Sequence, residues 1–172
     1  MKILGYFHDD RFKSATIDII RYTARVFVLD QDHRIGFLRI KGEDDFGLRN
    51  HLESPGGGVE TNETFIEAAK REIAEELGAT AYDFKEIGVV IDRYNLIHRM
   101  TFSVYYSAQL ATLNLQLHRT DEEKILIEAI EWYPCNEVMA ALSKTTSDVD
   151  ALIHRRERCA FSAFLENQKN RG

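Results

Sequence analysis

Cysteine and proline are scarce in this chain, and each scarcity excludes a class of protein. The 172 residues include only 2 Cys and 2 Pro. Two thiols, Cys135 and Cys159, cannot staple a small secreted scaffold, and neither has the spacing of a zinc ligand pair. So little proline, with only 10 Gly, excludes a collagenous or Pro-rich low-complexity chain. Long apolar runs are missing too. The longest, residues 87–91, has the length of a strand and falls far short of the ~20 residues of a membrane span. Residues 1–10 reach charge too early to supply the apolar stretch of a signal peptide, so the expectation is a cytoplasmic protein with no membrane partner. Nor is there an excess of positive charge: 22 Lys and Arg face 28 Asp and Glu, a formal charge of −6. Such a chain has no electrostatic reason to coat DNA or an anionic membrane. It can hold a small polyanion only by bringing cations to it.

What is present is globular. Hydrophobic residues make up 44% and charged residues 29%, and the length suits one domain over 1–172. Segments 23–29 (TARVFVL) and 34–40 (RIGFLRI), separated by Asp30-Gln31-Asp32-His33, predict a hairpin. Segments 85–94 and 97–110 predict a second one turning near Asn95, and 125–133 a further strand. Segments 41–54 and 111–124 read as loops. Three helices are expected: Thr64 to Leu77, 135–143 and about 148–166. On the first, Ile66, Ala69, Ile73 and Leu77 form an apolar stripe. Thr64 with Glu67 fits a capping box, and Gly78 fits the stop. On the last, Val149, Leu152, Ile153, Ala160, Ala163 and Phe164 form the buried side, while His154, Arg155, Arg156 and Arg158 read as its solvent side. This order of elements predicts an α+β fold, or an α/β/α sandwich around a mixed sheet.

The first helix carries the chemistry. Glu72, Glu75 and Glu76, at i, i+3 and i+4, project from one side of it, roughly 110° from the apolar stripe. Like charges so close repel, and a hard divalent cation removes that cost because Mg²⁺ and Mn²⁺ prefer carboxylate oxygens. A glutamate-rich helix alone is more often a solvated face than a metal site. Here Pro55-Gly56-Gly57-Gly58 precedes it, a turn whose backbone can approach a phosphate or a metal.

Read together, Gly57, five residues, Glu63, seven residues and then Arg71-Glu72-Ile73-Ala74-Glu75-Glu76-Leu77-Gly78-Ala79 resemble the signature of the Nudix (MutT-like) hydrolases over residues 57–79. With each residue type at roughly 1 in 14, chance agreement at about seven fixed positions is of order 10⁻⁸ per window. Three positions depart from the usual pattern. Ala79 stands where a larger aliphatic is common, Ser54 replaces an apolar residue before the Pro-Gly-Gly, and Asn62 stands in place of Gly.

The resemblance implies a Nudix-type α/β/α sandwich with a mixed sheet. It also implies hydrolysis of a nucleoside diphosphate linked to a further group: a nucleoside triphosphate, a nucleotide sugar such as ADP-ribose, or a dinucleoside polyphosphate. By the same resemblance Glu72, Glu75 and Glu76 hold Mg²⁺ or Mn²⁺ with the Gly57 carbonyl, and Arg71 orients the glutamates. Glu60 and Glu63 support the loop or hold water. The general base in the family comes from the helix itself or from a later loop, where Glu122 or Glu123 is preferred to the neighbouring Asp121, so that Glu75, Glu76, Arg71, Glu122 and Glu123 are the candidate catalytic residues. Trp132, Tyr133 and Tyr94 read as structural aromatics, and a homodimer is an option common in the family. The alternative, a non-catalytic nucleotide sensor on the same fold, would be expected to have lost one of the box glutamates, and all three are present.

Overall fold

The computed structural model describes residues 1–14 and 16–170; Ala15 and the end of the expected 1–172 domain, Arg171 and Gly172, lie outside the described residues. Eight strands and four α-helices follow in the order β1 (Ile3–His8), β2 (Ile19–Leu29), β3 (Arg34–Asp44), β4 (Gly47–Glu53), β5 (Gly56–Gly58), α1 (Phe65–Glu72), β6 (Thr80–Tyr94), β7 (Arg99–Thr112), α2 (Asp121–Leu126), β8 (Ile127–Pro134), α3 (Cys135–Ala141) and α4 (Asp148–Lys169). The fold is α+β with a mixed sheet. β6 and β7 form the long antiparallel hairpin, and β1 joins β6 in parallel. β2 lies parallel to β7 and holds the short β5 on its other edge. β3 pairs with β4 on one side and β8 on the other.

Alternation along the strands builds two cores. Ala24, Val26 and Val28 of β2 meet Ala68, Ala69, Ile73 and Leu77 on one face. Phe27 and Leu29 of the same strand meet Phe161, Phe164, Val138 and Leu142 on the other, so α1 covers one side of the sheet and α3 and α4 the opposite side. No described helix is long and apolar enough to cross a membrane.

Three expectations need correction, and one strand carries no signal in the sequence. Segment 41–54 is not a loop, because β3 runs on to Asp44 and β4 returns from Gly47. β1 was not legible beforehand: it is an edge strand whose pairing with β6 is long-range, and Ile3 and Tyr6 remain exposed. Residues 121–126 form a helix rather than the end of a loop, with Thr120 and Glu123 making a capping box. Finally, α4 does not turn His154 and Arg156 to water; they are 1% and 3% exposed. That helix packs against β4, β6 and β1, so its polar residues are enclosed by strand ends as well as by core.

The first helix also differs in detail. Thr64 caps it with the complete box, and Gly78 at φ 59 ends it, but α-geometry stops at Glu72 and Ile73–Leu77 forms a π-turn. Ile66 is exposed, and Phe65 with Ala68 and Ala69 takes the contact with the sheet. The buried stripe is thereby turned so that Glu72 and Glu76 lie on its edge, 6% and 7% exposed. A π-turn of this kind re-aims side chains within an otherwise regular helix.

Candidate active site

The carboxylates predicted from sequence divide into two groups. Glu72, Glu76 and Glu123 each offer an oxygen, and these oxygens lie within 4.8 Å of one another. Two come from the π-turn junction and the third from α2, some fifty residues later. Glu123 is held there by its own capping box, its carboxylate accepting from the Thr120 amide at 2.7 Å. Glu75, by contrast, leans to Arg71 at 3.1 Å and stays half-buried outside that trio. Glu122 is exposed on α2 and lines the same cleft as Glu76 and Glu123.

Arg71 braces the group. Its guanidinium donates to Glu63 at 2.9 and 3.0 Å, to Glu72 at 2.8 Å, to Glu75 at 3.1 Å and to the Gly58 carbonyl at 2.9 Å. The bonds to Glu63 raise the Arg71 pKa and lower that of Glu63, so both are charged. Glu63 in turn accepts from the Glu60 amide, while the Glu60 carboxylate is 4.0 Å from Arg71 and exposed. The loop between them turns at Asn62, whose φ of 67 is the left-handed geometry that Asn tolerates after Gly.

The glycine strand is shaped to this acidic group. A Cβ on Gly57 would meet the Glu72 Oε1 at 2.2 Å, so only glycine leaves room for that carboxylate. The Gly56 amide donates to the Glu76 Oε2 at 2.8 Å. Burial, and then the neighbouring Glu72, push the Glu76 pKa well above the usual carboxylate value; burial raises Glu72 as well. Two buried carboxylates that are costly to ionise, joined by a third and offering only oxygen, form a set suited to a hard divalent cation. The residues fit Mg²⁺ or Mn²⁺.

Beyond Glu76 opens a cleft of about 300 Å³, lined by Arg21, Arg25, Arg49, Arg99 and Arg156 as well as Glu53, Glu122 and Glu123. Part of this lining was missed from sequence. Glu53 bonds Arg25 at 2.6 Å and Arg156 at 2.5 Å, and Arg156 reaches Glu157 at 3.1 Å and the Tyr105 hydroxyl at 3.0 Å. Burial alone would raise the Glu53 pKa, but Arg25 and Arg156 outweigh it and hold the pKa well below the ordinary value. Arg25 also donates to the Ser54 carbonyl at 3.0 Å, tying the start of the glycine strand to β2. The polar Ser54, an odd choice by pattern, is fully buried beside this network. Ala79 is buried as well, in the core under α1. Tyr94, expected as a hairpin aromatic, is buried and forms part of the cleft wall.

Residues 20–155 match the NUDIX domain family. An RNA pyrophosphohydrolase of Halorhodospira halophila is 36% identical over 85 residues, 48% of this chain and 44% of that protein, so the match spans under half the relative's length. Among solved structures, a NUDIX hydrolase from Nitrosomonas europaea superposes with a TM-score of 0.64 at 16% identity, covering 86% of this chain and 89% of that one. An ADP compounds hydrolase gives 0.67 at 20% identity, covering 88% and 75%. At these identities the structural likeness speaks for the fold.

Proposed function

The chain belongs to the NUDIX domain family, and from that premise we propose that it is a pyrophosphohydrolase cleaving the diphosphate linkage of a nucleoside diphosphate derivative. One observation carries this reading: three carboxylates from two separate segments converge within 4.8 Å beside an arginine-lined cleft. Glu72, Glu76 and Glu123 would hold Mg²⁺ or Mn²⁺, with the glycine strand at Gly57 closing one side. When bound, such a cation neutralises the diphosphate and makes water a better nucleophile. Arg71 is a positioning residue that fixes Glu72 and Glu75 through its fork, with Glu63 as its counter-ion and Glu60 at the rim.

In the reaction, water oxygen bonds to one phosphorus and the bridging oxygen leaves on the other phosphoryl group. The water proton passes to a carboxylate. Because Glu123 belongs to the trio, Glu122 at the cleft rim is the residue assigned to accept that proton. The curated relative's name, a pyrophosphohydrolase, supports the reaction class. The test is release of phosphate, pyrophosphate or nucleoside monophosphate across a panel of triphosphates, nucleotide sugars and dinucleoside polyphosphates, with and without Mg²⁺ or Mn²⁺. Turnover that needs the cation and falls in Glu123→Gln is the expected result. Turnover that survives chelation, or its absence across the whole panel, overturns the reading.

A further inference from the structure

Most cations in the cleft are already paired. Arg25 and Arg156 share Glu53, and Arg49 bonds Asp44. Arg21 and Arg99 differ, because neither makes an ion pair among the described residues. They sit on neighbouring parallel strands one register step apart: Ile19 pairs with Arg99 and Arg21 with Thr101, so both point to the face that carries Arg25. The Arg99 Nε is buried without a hydrogen-bond partner, and its guanidinium lies 5.5 Å from the Tyr94 ring. Burial and then the proximity of Arg21 lower the Arg99 pKa, with no carboxylate nearby to offset them.

Two guanidinium groups thus face one cleft without an ion-pair partner of their own among the described residues. Arg21 lines the same cleft as Glu76 and Glu123 of the acidic trio. A Cβ on Gly58 would lie 3.3 Å from its Nη2, on the face of β5 opposite to the one where a Cβ on Gly57 would run into Glu72. An anion seated against the trio and running along this cleft of about 300 Å³ meets Arg21 and Arg99 on the same wall.

We infer that Arg21 and Arg99 bind a third phosphate, which makes the substrate a nucleoside 5′-triphosphate or longer polyphosphate rather than a diphosphate capped by a neutral sugar. This rests on the function proposed above and deepens it. A neutral ribose or hexose would leave both cations unmatched, whereas a phosphate accepts charge-assisted bonds from each. Arg21 and Arg99 are thus specificity residues, acting on substrate affinity and not on the chemical step.

The experiment has two arms. In the first, kcat and KM are measured with a nucleoside triphosphate and a nucleoside diphosphate sugar for the wild type, Arg21→Gln and Arg99→Gln. The expected result is a preference for the triphosphate in the wild type that shrinks about tenfold in each variant, carried by KM, with Arg99→Lys recovering part of it. In the second, inorganic tripolyphosphate is titrated in EDTA and followed by phosphorus NMR, so that catalysis plays no part. Here the double variant should bind about tenfold or more weakly than the wild type. Equal tripolyphosphate affinity in the two proteins, or a wild-type preference for the sugar conjugate, overturns the inference. Failure of every nucleotide to turn over while tripolyphosphate binding still depends on both arginines overturns only the proposed hydrolase.

Discussion

Gly57→Ala isolates the acidic site from the fold. Gly57 has no positive φ, so its backbone accepts an alanine without strain. The three atoms nearest the added methyl carbon all belong to Glu72, with Oε1 at 2.2 Å and Cδ at 2.6 Å. Ordinary contact begins near 3.4 Å, so the carboxylate must retreat by roughly 1 Å, and a misplacement of that size can cost about a hundredfold in rate. A hundredfold is roughly 2.7 kcal/mol of barrier. Stability should stay within about 1 kcal/mol of wild type, because losing glycine's freedom in the unfolded chain offsets part of any local strain. The assay pairs a urea melt with kcat in Mn²⁺ and with Mn²⁺ affinity by calorimetry. The expected variant is folded, about a hundredfold slower and weaker for the metal. A folded Gly57→Ala with wild-type kcat and Mn²⁺ affinity would refute the role given to Glu72.

Glu76→Gln should lower turnover by about a hundredfold or more, yet raise the melting temperature in EDTA. The raised pKa of Glu76 means that ionising it in the folded state costs stability at neutral pH, and Gln carries no such cost; a lower melting temperature would count against that account. Arg156→Leu leaves Glu53 and Glu157 without their shared cation and should cost about 3–5 kcal/mol in urea unfolding; a loss under about 1 kcal/mol would show that the network is dispensable. His154 accepts the Leu52 amide at Nε2 and has its pKa lowered to about 4 by burial and by His51, with Asp150 opposing and Arg39 and Arg158 assisting. A depressed folded pKa gives stability that is present above the unfolded value near 6.5 and lost as pH falls through 4, here about 3 kcal/mol. Denaturant midpoints from pH 7 to 4 should therefore fall more steeply in the wild type than in His154→Gln, and parallel slopes would remove His154 as the cause.

Much of the site was legible because its signals are local. The capping box at Thr64, the stop at Gly78, the Arg71 fork and the two buried carboxylates all lie within one short stretch whose spacing is fixed by helix geometry. Glu123 was legible only as one of two preferred candidates for the general base, though Thr120 three residues before it offered a second capping box that marked a helix. Glu53, Arg25 and Arg156 gave no signal at all. They come from β4, β2 and α4, and an isolated arginine on an amphipathic helix reads as solvent-facing until a strand end covers it.

The sequence by itself determined the family and which acidic side chains share one helix face, since residue type and spacing within one helix fix which side chains lie together. Tertiary structure alone decided which glutamates meet, because a π-turn and a distant helix choose Glu72, Glu76 and Glu123 over Glu75. It also decided which arginines are left unpaired. Whether a guanidinium finds a carboxylate depends on strand register and long-range packing, and Arg21 and Arg99 reach one cleft only because β2 lies parallel to β7.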